Sequence, residues 1–229
     1  MGNYKLEKLI YSKILFFYNT RTDCDEFFDS LKEIKNEIHG KCSGTIKLNK
    51  SDKPVHYDST YEKKVLEDLD KCSFVKRIKT QSYMLEYNGK SLKKKRKYIP
   101  DIQILLNDGR MVIIEIKPFK EMVNSRNMKK YKILRKHCKE NRIGFAFIDR
   151  DYYSFEDIKN ENVTDELKGR FIAFIKTKGK ASFSECKEFK KKYRINDKQI
   201  CNIIFTNKRR ISYMMHVIRV KKDYKKIIL

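Results

Sequence analysis

Two acidic residues and a lysine stand at the ends of neighbouring apolar segments, where they could act together on a bound group. Asp101 follows Pro100, and the later segment ends in Glu115, Ile116 and Lys117. Carboxylates held close together raise each other's pKa unless a cation lies between them. Mg²⁺ and Mn²⁺ prefer such oxygen ligands, and a nearby lysine could orient water or neutralise charge on a phosphate. An ordinary surface Glu–Lys pair is the alternative, so the elements that position these residues decide between the two interpretations.

The stretch YIPDIQILLNDGRMVIIEIKP, at residues 98–118, predicts a β-hairpin with strands at about 98–106 and 110–117. The Asn-Asp-Gly sequence between the strands is typical of hairpin turns, because glycine readily takes a positive φ. A three-residue loop collects the branched apolar residues on one face, whereas a two-residue loop would mix apolar and polar side chains. The apolar pattern therefore predicts the longer loop, which pairs Asp101 with Glu115.

A helix predicted from about Ser59 to Asp70 carries a third carboxylate toward the interior. Glu62 lies on the same helical stripe as Leu66 and Leu69. In a capping box, Glu62 would accept a hydrogen bond from the Ser59 amide. Alternatively, Glu62 is a third acidic ligand of a metal ion or of water. The helix alone leaves both interpretations open.

The charge of the chain predicts a polyanionic partner, most simply nucleic acid. The 229 residues carry a formal net charge of +24, and 40% are hydrophobic, which is enough for a core of one large or two small domains. A lysine-rich background spread evenly over the surface is the alternative. The basic run SLKKKRK leads directly into Asp101, and its side chains are predicted to contact DNA phosphates: Lys93, Lys94, Lys95, Arg96 and Lys97.

The cysteines and the remaining motifs narrow the class of protein. Six cysteines and four histidines are scattered without a metal-binding spacing, which predicts reduced thiols in an intracellular, cytoplasmic protein. The sequence shows no signal peptide, no segment apolar enough to span a bilayer, no glycine-rich phosphate loop and no GxSxG motif. We therefore expect no membrane partner.

The order of predicted elements divides the chain into three parts. Residues 1–54 are an unassigned N-terminal helical extension, with one helix predicted over residues 23–38. Residues 55–160 predict an α/β core, in which helices flank one mixed sheet and a strand–helix–strand unit supplies a parallel pair. Residues 165–229 predict three helices and a hairpin, an order typical of a winged helix that binds either DNA or protein.

With these elements assembled, the chain resembles the PD-(D/E)xK nuclease superfamily and, within it, the TnsA-like endonuclease subunits of heteromeric transposases. The likeness covers about residues 55–155 and, more loosely, the C-terminal part. TnsA-like proteins can carry glutamine where this chain has Glu115, which is the usual residue of the wider superfamily. The stretches that carry the resemblance are STYE at 59–62, VKRIKTQ at 75–81, the hairpin at 98–118 and IGFAFIDRDY at 143–152.

The resemblance implies a restriction-endonuclease-like core that cuts double-stranded DNA. The implied catalytic residues are Glu62, Asp101, Glu115 and Lys117. Mg²⁺, for which Mn²⁺ would substitute, is implied as the cofactor. Its implied ligands are Asp101, Glu115 and the Ile116 carbonyl, with Glu62 bound directly or through water. Gln81 corresponds to a family glutamine near the site and is expected to contact DNA.

The resemblance also implies partners. TnsA-like proteins cut the 5′ ends of an element beside a DDE transposase, and an AAA+ ATPase regulator docks on their C-terminal domain. Two alternatives remain for this chain, which is expected to be prokaryotic or from a phage. One is an autonomous PD-(D/E)xK nuclease of a restriction, repair or phage system. The other is a non-catalytic DNA-binding or assembly protein.

Overall fold

The structure of the chain is a computed structural model that describes residues 2–34, 42–88 and 95–221. The chain forms two compact units. The first unit comprises residues 1–117 and 132–152, and the second comprises residues 118–131 and 153–229.

The first unit begins with two helices, two short strands and a longer helix: α1 (Gly2–Ser12), α2 (Asp25–Ser30), β1 (Gly44–Ile46), β2 (Val55–Tyr57) and α3 (Thr60–Lys71). Five strands follow: β3 (Val75–Thr80), β4 (Leu85–Asn88), β5 (Lys95–Tyr98), β6 (Ile102–Leu106) and β7 (Met111–Ile116). After β7 come two helices and a strand: α4 (Phe119–Met122), α5 (Ser125–Glu140) and β8 (Gly144–Ile148). Helix α4 belongs to the second unit, and the division between the units falls inside α5.

A four-stranded mixed sheet in the order β3-β6-β7-β8 forms the centre of the first unit. Strand β6 runs antiparallel to both β3 and β7, whereas β8 runs parallel to β7. The parallel pair is joined through helix α5, as the strand–helix–strand order predicted. The mixed α/β class predicted for this part of the chain is therefore confirmed.

The hairpin of β6 and β7 has the predicted register. Its loop contains three residues, the last of which is Gly109 with a φ of 79°. Ile102 pairs with Ile114 across the ladder, so Asp101 and Glu115 lie opposite each other one step further from the loop. The two carboxylates thus meet at the end of the sheet where the site was predicted.

The apolar face of the hairpin packs against α1 and α3 to form the main core. Every predicted position on that face is buried: Ile102, Ile104, Leu106, Val112, Ile114 and Ile116. Helix α3 contributes Val65, Leu66 and Leu69 at helical spacing. Burial of each such side chain contributes about 1.5–3 kcal/mol of hydrophobic stabilisation. The core also includes Ile10 and Leu48, so the N-terminal part of the chain packs together with the sheet.

The prediction of one strand over residues 98–106 was wrong. Strand β5 ends at Tyr98 and pairs with β4 in a separate two-stranded sheet, and β6 begins at Ile102. Pro100 lies in the break, and proline has no backbone N–H to donate to a ladder. The Asp101 carbonyl oxygen instead accepts from the Gln81 amide at 3.1 Å.

The N-terminal predictions were also too simple. The helix predicted over residues 23–38 ends at Ser30, residues 31–34 are not helical, and residues 35–38 lie outside the described part of the chain. The Lys79 ammonium donates to the carbonyl oxygens of Phe28, Asp29 and Leu31, and thereby binds the end of α2. Strand β1, in a part predicted as a helical extension, pairs with β2.

The second unit contains most of its helices in its C-terminal part: α6 (Phe155–Asn160), α7 (Asp165–Lys178), α8 (Lys187–Tyr193) and α9 (Asp197–Thr206). Its sheet has the antiparallel order β10-β11-β9, formed by β9 (Lys180–Ala181), β10 (Ile211–Met214) and β11 (Val217–Val220). The three helices and the hairpin predicted for this part are present, and β9 is an additional strand. In the described part of the chain, no helix is both long and apolar enough to cross a membrane.

The left-handed conformation of Gly109 makes the hairpin loop testable. Gly109→Ala should destabilise the protein by at least about 2 kcal/mol, because non-glycine residues disfavour this conformation and the new Cβ would clash with the Thr22 carbonyl oxygen. Gly169→Ala is the control, since its Cβ would meet no atom within 4 Å and alanine favours the helix by about 0.5–1 kcal/mol. Urea unfolding measures both changes. Equal stability of Gly109→Ala and wild type would contradict the loop geometry.

Candidate active site

The Lys117 ammonium is the centre of the predicted site. Its Nζ lies 3.1 Å from Asp101 Oδ2, 2.9 Å from Glu115 Oε1 and 2.7 Å from the Ile116 carbonyl oxygen. Asp101 Oδ2 also accepts from the Ile116 amide at 2.7 Å. Three of the four predicted catalytic residues therefore meet in one cluster, at the carboxyl end of β7 and the start of β6.

Burial and charge oppose each other in this cluster. The Glu115 side chain is fully buried, and those of Asp101 and Lys117 are mostly buried. Burial disfavours the ammonium charge, but the carboxylates of Asp101 and Glu115 outweigh that cost and raise the pKa of Lys117 above its ordinary value. Lys117 is therefore protonated at neutral pH. In this arrangement it acts as a fixed positive charge and not as a base.

Tyr98 is a further buried neighbour of the cluster that the sequence did not single out. Burial, followed by the charges of Glu115 and Asp101, raises the pKa of its hydroxyl above the ordinary value. The neutral phenol lies close enough to the Glu115 carboxylate for the charge of that carboxylate to oppose ionisation of the phenol. Strand β5 thus supplies a polar group to the site from outside the main sheet.

Glu62 lies beside the cluster on the first turn of α3 and is only 7% exposed. Ser59 caps the helix, as predicted, by accepting from the Glu62 amide at 3.2 Å. The predicted return bond to the Ser59 amide is wrong. Glu62 Oε2 accepts from the Asp58 amide at 2.8 Å, and Oε1 accepts from the Ser59 hydroxyl at 2.9 Å.

The environment of Glu62 weakens its acidity. Burial, followed by the nearby charge of Asp101, raises the pKa of Glu62 to about 7, although its hydrogen bonds and Lys117 favour the ionised form. A carboxyl group with this pKa exchanges its proton near neutral pH, as a general acid or base requires. Glu62 is therefore the member of the set whose charge responds most readily to its surroundings.

The donor set around the ammonium fits a hard divalent cation. Two carboxylates and one carbonyl oxygen surround Lys117 Nζ, and these are the oxygen types that Mg²⁺ prefers. Among the residues that the structure describes, no three acidic, histidine or cysteine side chains converge on one point, so Glu62 does not share the arrangement of Asp101 and Glu115.

The predicted DNA-contacting residues are placed unequally. Arg96 and Lys97 are exposed on β5, whereas Lys93 and Lys94, together with the side chain of Lys95, lie outside the described residues. Gln81 is only 3% exposed, and its Nε2 donates to Asp58 Oδ2 at 2.9 Å. The Gln81 side chain is therefore buried against Asp58, and its expected contact with DNA stays a prediction.

Sequence reasoning missed His56 and Asp58, which lie next to Glu62. His56 is 3% exposed, and its Nε2 lies 2.9 Å from Asp58 Oδ1. A local signal was available, because His-x-Asp immediately precedes the Ser59 cap of α3. That local signal does not indicate which residue Asp58 contacts, because its partner Gln81 is 23 residues further along the chain.

A comparison with known protein families finds a match to an endonuclease domain. Residues 72–150 match the TnsA-like endonuclease N-terminal domain. The match confirms the resemblance that the sequence predicted, and it covers about a third of the chain. The TnsA-like domain contains Asp101, Glu115 and Lys117 but begins after Glu62, so the assignment of Glu62 depends on its position beside the cluster. No curated protein matches the chain.

The role of Lys117 as a compensating charge predicts the behaviour of the metal-free protein. Lys117→Met should lower its stability by about 3 kcal/mol, because Asp101 and Glu115 lose their buried cation. Thermal unfolding in EDTA between pH 5 and 8 measures this effect.

The matched control is Lys63→Met on the exposed side of α3. Lys63 lies 3.9 Å from Glu67, and both side chains are well exposed. Such surface pairs contribute about 0–1 kcal/mol. If Lys117→Met were no more destabilising than Lys63→Met at pH 8, the ammonium would not be needed to neutralise the site.

Proposed function

We propose that this protein is a metal-dependent DNA endonuclease that acts at transposon ends together with a DDE transposase. The observation that carries the proposal is the convergence of Asp101, Glu115 and Ile116 oxygens on the Lys117 ammonium, inside a domain that matches a TnsA-like endonuclease. The intracellular location expected from the sequence agrees with a DNA substrate.

Each residue of the site has a different proposed role in phosphodiester hydrolysis. Asp101, Glu115 and the Ile116 carbonyl would hold Mg²⁺, which when bound supplies a water of lowered pKa and stabilises charge on the phosphate. Lys117 contributes a permanent positive charge beside the reacting phosphate. Glu62, whose pKa is raised to about 7, can accept or donate a proton at its Oε atoms near neutral pH.

DNA binding in this proposal is driven mainly by phosphate contacts. Arg96 and Lys97 lie exposed on β5, which leads into Asp101, and Lys93 to Lys95 precede them in the chain. Basic side chains next to the site would bind the DNA phosphates on either side of the scissile phosphate. With a net charge of +24, the isolated protein should bind DNA with little dependence on base sequence.

The second unit is proposed to be a winged-helix-like domain that docks a protein partner. The order α7, β9, α8, α9, β10, β11 supports a winged helix. Helix α9, which would have to enter a DNA groove, is largely buried, and its Asn202 donates to the Ile158 and Lys159 carbonyl oxygens of α6. These features favour docking of a transposase or an AAA+ regulator over reading of DNA.

Cleavage of supercoiled plasmid tests the nuclease assignment. In Mg²⁺, Asp101→Asn should reduce nicking by at least about 10²-fold, because the proposed Mg²⁺ site loses one of its two carboxylate ligands. Asp23→Asn is the control, since Asp23 is exposed and pairs only locally with Arg21 among the contacts described. If Asp101→Asn still nicked the plasmid at the wild-type rate, the catalytic assignment of Asp101 would be wrong.

The same assay separates the alternatives. A TnsA-like subunit should become efficient at transposon ends only when the transposase encoded beside it is added. Sequence-specific double-strand cutting by the lone protein would favour an autonomous nuclease. DNA binding without cleavage in Mg²⁺ or Mn²⁺, with or without the transposase, would favour the non-catalytic assembly protein.

Salt dependence tests the phosphate-driven mode of binding. The log of the affinity for duplex DNA should fall with log salt with a slope of about −0.9 per neutralised phosphate. Arg96→Ala and Lys97→Ala should each make the slope shallower by about 1 and weaken binding equally for unrelated sequences. Lys63→Ala, on the exposed side of α3, should leave the slope unchanged. Fluorescence anisotropy measures all three. A slope that does not respond to Arg96 and Lys97 would place the DNA elsewhere.

A further inference from the structure

A partly buried chain of hydrogen bonds joins two bends in the backbone beside the candidate active site. His56 Nε2 lies 2.9 Å from Asp58 Oδ1, and Gln81 Nε2 donates to Asp58 Oδ2 at 2.9 Å. His56 lies on β2 and Gln81 lies on the bend that follows β3, and both side chains are almost fully buried. Asp58 thus connects the approach to α3 with the end of β3.

Two members of this chain, Asp58 and Gln81, reach residues of the site through their backbone amides. The Asp58 amide donates to Glu62 Oε2 at 2.8 Å, and the Gln81 amide donates to the Asp101 carbonyl oxygen at 3.1 Å. A shift of Asp58 would therefore move the donor that holds the Glu62 carboxylate. A shift of Gln81 would move the backbone from which the Asp101 side chain projects.

Gln81 occupies its position at an energetic cost. Its φ is 46°, in the left-handed region that non-glycine residues seldom adopt. Its Oε1 is buried, with no hydrogen-bond partner among the described residues. Strained backbone and unpaired buried polar atoms persist where the surrounding structure requires them, and they concentrate at functional sites. Packing alone would be served as well by an apolar side chain of similar size.

We propose that His56, Asp58 and Gln81 form a positioning clamp that fixes Glu62 relative to Asp101. This inference rests on the proposed nuclease function and assigns roles to residues outside the predicted catalytic set. The clamp residues touch neither the ammonium of Lys117 nor its ligating oxygens in the contacts described. They act through the Asp58 and Gln81 amides. Outer-shell partners of this kind typically change metal affinity or activity by about 10–100-fold when they are removed.

The test uses the full chain and three readouts. Gln81→Leu and Asp58→Ala should each lower the single-turnover cleavage rate and the Mn²⁺ affinity, measured by calorimetry, by about 10–100-fold, with the affinity for DNA unchanged. In Gln81→Leu, hydrogen exchange at the Asp58 amide should accelerate at least about 10-fold, because its bond to Glu62 loosens. Asp58→Asn keeps an oxygen for Gln81 and should retain more activity than Asp58→Ala.

Controls separate the clamp from general stability. Gln81→Gly relieves the left-handed strain but removes the amide side chain, so it should fold and still lose activity. Arg142→Gly relieves the same kind of strain, φ 58°, at an exposed residue and should leave all three readouts unchanged. If Gln81→Gly, like Arg142→Gly, left the cleavage rate, the Mn²⁺ affinity and the exchange of the Asp58 amide unchanged, the role of Gln81 would be structural only.

The outcomes distinguish this inference from the proposed function. Cleavage and Mn²⁺ binding within about threefold of wild type in Gln81→Leu and Asp58→Ala, with unchanged exchange at Asp58, would overturn the clamp while the nuclease assignment stood. Reduced Mn²⁺ affinity and faster exchange would support the clamp even if no protein, wild type included, cleaved DNA. In that case the nuclease assignment alone would fail.

Discussion

The site depends on the neutralisation of buried carboxylates by the Lys117 ammonium. Glu115 is fully buried, and an ionised carboxylate in such a place is stable only when it is paired and hydrogen-bonded. The pairing requires Asp101 and Glu115 to lie opposite each other at the end of the hairpin. A slip of one residue would turn one carboxylate toward the apolar core and the other away from it. The three-residue loop and the isoleucine-rich face are therefore conditions for the charge cluster and not only features of the fold.

The parts of this arrangement that the sequence predicted are those encoded by local pattern. Alternation of apolar residues fixed the faces of β6 and β7, and Asn-Asp-Gly predicted the loop that sets their register. The stripe of Val65, Leu66 and Leu69 predicted α3 and the inward direction of Glu62. Each of these signals depends only on residues that are close together in the sequence. Together these signals were enough to predict that Asp101, Glu115 and Lys117 lie close together.

The parts that the sequence did not predict are set by contacts between distant residues. Lys79 ends α2 from about 50 residues away by binding its carbonyl oxygens, although the local pattern favours a longer helix. Gln81 is buried because its side-chain amide donates to Asp58, which lies 23 residues earlier in the chain. The Pro100 break was visible locally, but the apolar alternation that follows it masked the signal. Propensity and periodicity describe the chain's preferences, and tertiary contacts override them at these positions.

The carboxylates of the site are not equivalent, and the difference follows from what holds each one. Asp101 and Glu115 bind the ammonium directly, whereas Glu62 is held by the neutral Asp58 amide and Ser59 hydroxyl. One lysine therefore lies near three acidic groups, and burial, followed by the charge of Asp101, raises the pKa of Glu62 to about 7. Additional positive charge near Asp101 would favour the ionised form of Glu62 and release its proton. Because the amides that hold Glu62 and Asp101 are linked through Asp58 and Gln81, this coupling between charge and proton depends on the backbone as much as on the acidic side chains.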